Sequence, residues 1–282
     1  MSAVSWVSPD WVRDHLSDPD ILLLDPRRPM KYMSGHLEGA VNLPVYTAFD
    51  EQARLLEPES LARWAADAGV SGDRTPLLYD STDGQNGAML SWILRYLGCP
   101  KVLLMDTFFE GWAESGGEVF YRPVPPTPAQ FYPAIDETIR ARWEDLSQGA
   151  SAALLDFRSR AEYSGENGEP GTGGHIPGAL HLEWRALVGE DNAYLLPNNA
   201  LASLFQPLLS THPTHPDSPT QTAHPEPVEG RAEDATPVIA YCRTGPRASL
   251  GFLALSKLGY SPRLYDGSIT DWNRHDGPLE AY

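Results

Sequence analysis

Val238-Ile239-Ala240-Tyr241-Cys242-Arg243-Thr244-Gly245-Pro246-Arg247 joins a short run of apolar residues to a segment whose apolar positions recur at helical spacing as far as Leu258. The run reads as a buried strand and the following segment as an amphipathic helix, with Pro246 suited to the first helical position. A strand-to-helix turn leaves free backbone N–H groups pointing into the loop, and the helix dipole adds partial positive charge there. An anion, or a thiolate on Cys242, is stabilised in such a place. Gly245 permits the tight curl, Thr244 offers a hydroxyl, and Arg243 and Arg247 supply cationic charge. Pro246 removes one N–H from the cradle. An isolated cysteine in an apolar setting is most simply a structural thiol. Two arginines, a glycine and the turn reverse that preference for Cys242, which is predicted to be the catalytic nucleophile. Cys99, between Gly98 and Pro100 with only Lys101 as a cationic neighbour, is expected to be structural.

Working outward, the chain repeats itself. Asp25-Pro26-Arg27, Lys31-Tyr32 and Gly35-His36-Leu37-Glu38-Gly39-Ala40-Val41 recur as Asp156-Phe157-Arg158, Glu162-Tyr163 and Gly174-His175-Ile176-Pro177-Gly178-Ala179-Leu180. Leu77-Leu78-Tyr79-Asp80 corresponds to the run ending in Cys242, and each copy closes with Asp followed six residues on by Trp, at Asp106/Trp112 and Asp266/Trp272. Self-similarity at this spacing predicts two homologous domains. Short apolar runs at Ile21–Leu24, Leu154–Leu155 and Val238–Tyr241 alternate with helical patterns at Ser60–Ala68 and Gly87–Leu97. Gly69, Gly98 and Gly259 stand where helix C-caps favour a left-handed residue. The predicted fold class is α/β, each domain a mostly parallel sheet flanked by helices.

The proline-rich stretch Tyr121-Arg122-Pro123-Val124-Pro125-Pro126-Thr127-Pro128 predicts an extended linker. The expected organisation is a non-catalytic domain over 1–120, a linker over 121–133 and a catalytic domain over 134–282. A segment at 212–235, rich in Pro, Thr, His and Glu, is expected to be a disordered insertion. Its His212, His215 and His224 are each followed by proline and no fixed ligand geometry adjoins them, so no metal site is expected.

The chain has 282 residues and a formal net charge of −17, which argues against nucleic acid or an anionic membrane as partner because both require clustered Lys and Arg. An anionic substrate must then be held by local cations. Met1–Leu16 shows no basic region followed by an apolar run, and with two cysteines only there is no disulfide framework. A cytoplasmic monomer is expected. Asp156 with Arg158, and Asp25 with Arg27, recur in the copy without cysteine and so are expected to form buried ion pairs. His36 and His175 are expected to be architectural for the same reason.

Taken together, these motifs resemble the tandem rhodanese sulfurtransferases over nearly the full length. The resemblance rests on Asp-x-Arg and Gly-His-x-x-Gly-Ala in both copies, Cys-Arg-x-Gly-x-Arg in the second, and Tyr265-Asp266-Gly267-Ser268. It implies a ping-pong reaction in which the Cys242 thiolate takes the outer sulfur of thiosulfate, sulfite leaves, and cyanide or a thiol, thioredoxin among the candidates, collects the sulfur from the persulfide. It implies no metal or organic cofactor. Arg243, Thr244, Gly245 and Arg247 are the expected substrate-binding residues, with Asp156, Arg158 and His175 as structural support.

Three alternatives compete. Cysteine phosphatases and arsenate reductases related in fold resemble Cys-x5-Arg, whereas here the sixth residue after Cys242 is Ala248 and Arg247 comes one position early. Family members acting on 3-mercaptopyruvate resemble Cys-Gly-x-Gly, and two arginines suit a compact dianion such as thiosulfate better. A non-catalytic sulfur-carrier or binding module would need no intact loop. One departure from the family pattern stands out: Glu162 precedes Tyr163 where several relatives carry a basic residue, and Arg160 is the candidate substitute.

Overall fold

In the computed structural model, residues 4–147, 152–167, 173–210 and 237–281 are described. The insertion expected at 212–235 lies outside them.

The first domain is a five-stranded parallel sheet of β1 (Val4–Val7), β2 (Ile21–Asp25), β3 (Val41–Asn42), β4 (Thr75–Leu78) and β5 (Val102–Met105), in the order β1-β5-β4-β2-β3. The second is a four-stranded parallel sheet of β6 (Ala153–Asp156), β7 (Leu180–His181), β8 (Val238–Tyr241) and β9 (Arg263–Leu264), in the order β7-β6-β8-β9. The orders match strand for strand once β1 is set aside. In its place Arg140 bridges Leu264 in parallel, and Ala141 N–H donates to the Leu264 carbonyl at 2.9 Å. Apart from the half-buried Ile21, the central strands β2, β6 and β8 are buried, as continuous Leu, Val, Ile and Ala runs require when helices cover both sheet faces.

The helices Gln85–Tyr96 and Pro246–Lys257, each following the strand that carries Asp80 or Cys242, pack on one another and join the domains. Leu90, Trp92 and Ile93 share one buried cluster with Leu250, Leu253 and Ala254. Arg95 of the first helix lies over the Phe252 ring of the second at 5.3 Å. Gly251 of the second helix lets that helix approach Phe157 of its own domain, because a Cβ there would fall about 2.1 Å from the ring. The linker is not a free tether. Val124 N–H donates to the Tyr32 hydroxyl at 2.9 Å, Ala129 N–H to the Ala66 carbonyl at 2.9 Å, and Ala134 N–H to the Leu97 carbonyl at 2.9 Å, which hold it along the first domain.

The helices expected at Ser60–Ala68, Gly87–Leu97 and Pro246–Leu258 are present as Pro58–Asp67, Gln85–Tyr96 and Pro246–Lys257. Gly69, Gly98 and Gly259 follow them with φ of +95°, +89° and +89°.

Candidate active site

Each Asp-x-Arg pair ties the end of a central strand to the glycine loop that follows it. Arg158 donates through Nε to Asp156 Oδ1 at 3.0 Å, through Nη2 to Oδ2 at 2.5 Å, and through Nη2 to the Gly174 carbonyl at 2.6 Å. Arg27 repeats the pattern on Asp25 and the Gly35 carbonyl at 2.5 and 2.8 Å. All four side chains are almost wholly buried. His175 and His36 are buried against Tyr163 and Tyr32 with ring centroids 3.9 and 4.0 Å apart, and each has a ring nitrogen within hydrogen-bonding distance of that tyrosine's carbonyl. Tyr241, immediately before Cys242, accepts from Ile176 N–H at 3.2 Å; Tyr79, before Asp80, accepts from Leu37 N–H at 3.3 Å. These contacts superpose the two loops chemically and set Asp80 at the position of Cys242.

The Cys242 loop is short, and its first two residues are tied to the segment Ser268–Thr270. Cys242 N–H donates to Ser268 Oγ at 3.0 Å, Ile269 N–H to the Cys242 carbonyl at 3.2 Å, and Thr270 N–H to the Arg243 carbonyl at 3.1 Å. Ser268 Oγ in turn donates to the Tyr265 carbonyl at 2.8 Å and lies 4.0 Å from the sulfur. Ser268 adopts φ of +52°, a strained conformation for a serine, held by these bonds. Gly245 turns the chain into the helix with φ +104° and ψ −49°, which a side chain tolerates poorly, and a Cβ there would lie 3.1 Å from the Asp266 carbonyl oxygen. Its N–H donates to Cys242 Sγ at 3.2 Å. The sulfur therefore sits at the N-terminus of a twelve-residue helix with a backbone donor aimed at it. Cys242 is buried, Gly245 is buried, Thr244 and Arg247 are half-buried and Arg243 is exposed, which places the two arginines at different depths.

Arg247 is not a solitary cation. Nη1 donates to Glu162 Oε2 at 2.6 Å and Nη2 to Oε1 at 2.9 Å, a bidentate pair. Glu162 also closes the capping box of the helix Arg160–Ser164, accepting from Ser159 N–H and Oγ. Arg243 and Arg247 are expected to supply cationic charge beside the nucleophile; at Arg247 that charge is balanced by Glu162. Arg160, the candidate substitute for a basic residue at this position, instead lies over the Tyr163 ring at 5.9 Å.

The first domain's loop is built for no nucleophile. Asp80 is fully buried, accepts from Gly87 N–H at 2.7 Å and Ser81 N–H at 2.8 Å, and is pushed up to about 7 by burial and by Asp83. Tyr194 of the second domain plugs this loop, its hydroxyl donating to the Gly84 carbonyl and its ring centroid 5.0 Å from that of Phe108. Nothing in the sequence singles out Tyr194. Cys99 is buried in the core, and burial pushes its thiol up to about 12, which leaves it protonated and inert. Among the described residues no three His, Cys, Asp or Glu side chains are grouped to hold a metal ion, and no helix is long and apolar enough to cross a membrane.

A cysteine at a strand-to-helix turn, in the second of two homologous parallel α/β domains whose first loop carries aspartate instead, defines a class of tandem α/β proteins with a cysteine in one of two equivalent loops. The rhodanese-like domain profile matches residues 8–115 and 140–275, so the chain belongs to the rhodanese family of sulfurtransferases. It is 30% identical over 292 residues to a putative thiosulfate sulfurtransferase of Synechococcus elongatus, covering 99% of this chain and 86% of the relative. It is 27% identical to the 3-mercaptopyruvate sulfurtransferase of Escherichia coli, covering 99% of each, and 30% identical to the sulfur carrier protein TtuD of Thermus thermophilus, covering 94% and 92%. The crystal structure of the 3-mercaptopyruvate sulfurtransferase SseA from Escherichia coli superposes with a TM-score of 0.76 at 26% identity, covering 94% of this chain and 99% of that one. The fold of EanB is similar as well, with a TM-score of 0.81 at 20% identity over 98% of this chain and 69% of that one.

Proposed function

We propose that the protein is a thiosulfate sulfurtransferase that carries sulfane sulfur as a persulfide on Cys242. The observation that carries this reading is the Gly245 N–H aimed at Cys242 Sγ at 3.2 Å from the N-terminal turn of the Pro246–Lys257 helix. In the first half-reaction the Cys242 thiolate attacks the outer sulfur of thiosulfate. The new Sγ–S bond forms as the S–S bond of thiosulfate breaks, and sulfite departs with the electron pair. The loop amide and the nearby guanidinium groups meet the charge left on the terminal sulfur. In the second, cyanide attacks that terminal sulfur, thiocyanate leaves, and the thiolate is restored; a thiol acceptor reacts likewise and leaves as its own persulfide. No proton need be moved by a side chain in the cyanide half-reaction.

Thiosulfate is preferred as donor because its two charges lie close to the reacting sulfur, where Arg243 and the loop can meet them. A second reading, 3-mercaptopyruvate as donor, is favoured by one observation: Glu162 compensates Arg247, which reduces the premium on a dianion. Steady-state assays with both donors and cyanide, detecting thiocyanate, separate the two. The proposed function predicts parallel double-reciprocal lines, a higher specificity constant with thiosulfate, and no thiocyanate from Cys242→Ser.

A further inference from the structure

The Glu162–Arg247 pair joins the short helix after the Asp-x-Arg motif to the helix that follows the Cys242 loop. In the first domain Lys31 stands in sequence at the place of Glu162. In the second domain the acid is on the short helix and the base is on the loop side. The Glu162 carboxylate accepts four hydrogen bonds, two from Arg247 at 2.6 and 2.9 Å and two from Ser159 at 2.8 and 3.1 Å. Both side chains keep about a fifth to a quarter of their surface exposed, so the pair lies at the rim of the site and not within the core. Burial opposes ionisation of Glu162, but Arg247 and Ser159 together hold its carboxyl down to about 2, so the pair stays charged throughout the working pH range. Arg247 stands in the first turn of the Pro246–Lys257 helix, two residues after the Gly245 whose N–H points at Cys242 Sγ, so the pair flanks the nucleophile's loop.

We infer that Glu162 is a specificity-determining residue: by tying up the charge of Arg247 it lowers the net positive field at Cys242 and so sets the ratio in which dianionic and monoanionic sulfur donors are used. The inference rests on the reading that Cys242 takes sulfur from small anionic donors. Its logic is Coulombic, since any change in local charge acts on thiosulfate with twice the leverage it has on a singly charged donor such as 3-mercaptopyruvate. Glu162 touches neither the sulfur nor the loop backbone in any contact described above, so it acts through Arg247 as a positioning and compensating group.

The test uses the full-length protein with thiosulfate and 3-mercaptopyruvate as donors and cyanide as acceptor. Glu162→Gln keeps the shape and can still bond Ser159 and Arg247, but removes the negative charge. It should raise kcat/KM for thiosulfate by about threefold to tenfold, mainly through a lower KM, and raise that for 3-mercaptopyruvate by clearly less. Glu162→Ala should move the ratio in the same direction, Glu162→Asp should leave it near that of the wild type, and salt near 1 M should erase most of the difference. An unchanged donor ratio in both neutral variants, or an equal loss with both donors, would overturn the inference and make Glu162 a scaffold residue only. Loading of the wild-type protein, read as one added sulfur on the Cys242 peptide, separates the two failures. If the wild type loads from a donor while the ratio stays fixed, only the role of Glu162 falls; if it loads from neither, the functional reading falls and takes the inference with it.

Discussion

Replacing Gly245 with alanine probes the loop at the point where backbone geometry and chemistry meet. Gly245 has φ +104° and ψ −49°, outside the regions open to residues with a side chain, and the added Cβ would lie 3.1 Å from the Asp266 carbonyl. Holding an L-residue in so sparsely populated a conformation costs about 1–3 kcal/mol. Rotation about the Gly245 N–Cα bond, which relieves that strain, turns the peptide whose N–H points at Cys242 Sγ. A hydrogen bond to a charged group is worth about 1.5–3 kcal/mol, so kcat/KM should fall about tenfold to a hundredfold. Gly259→Ala is the matched control: φ is +89°, nothing lies within 4 Å of its Cβ, and the residue is at the far end of the same helix. It should lose about 1 kcal/mol of stability and keep its rate. Urea midpoints and cyanolysis rates on both variants decide the matter. Full activity in Gly245→Ala, or an equal loss of activity in Gly259→Ala, would refute the claim that this N–H and not general loop stability supports the sulfur.

Other outcomes follow from the same structure. Arg158→Ala strands Asp156 in a wholly buried setting and should cost about 3–5 kcal/mol, read as a shifted urea midpoint, with Arg27→Ala costing a similar amount in the first domain. Glu162 has its carboxyl lowered to about 2, so its stabilising effect is complete above the ordinary glutamate range and is lost as pH falls from about 5 toward 2; Glu162→Gln should flatten that part of the stability profile. Asp80 has the opposite sign. Raised to about 7 by burial first and by Asp83 next, it favours the folded state while protonated, and stability should fall as pH rises from about 4 through 7. Asp80→Asn should remove that slope in thermal melts across the range.

The repeat made most of the fold legible, because the Asp-x-Arg and Gly-His-x-x-Gly-Ala motifs mark equivalent turns in two α/β units. β8 spans Val238–Tyr241, the run read from sequence, since a strand buried on both faces is written as continuous apolar residues. The two-residue strands β3, β7 and β9 were not legible: strands so short are created by their neighbours and carry no period of their own. Glu162 shows a different gap. Considered only against the family pattern it was a missing cation, yet Ser159-x-x-Glu162 is also a capping-box signature, and that local signal was available. Its bond to Arg247 spans 85 residues and Tyr194 reaches its partner across 110, separations at which only tertiary packing can show who meets whom.

The central claim is that one sulfur atom rests covalently on Cys242 between the two half-reactions. Mass spectrometry of the protein after incubation with thiosulfate and removal of excess donor tests it most directly. The account predicts one added sulfur on the peptide containing Cys242, none on the peptide containing Cys99, and return to the unmodified mass when cyanide is added. An added sulfur on Cys99, or thiocyanate formed with Cys242 unmodified at every stage, would contradict it.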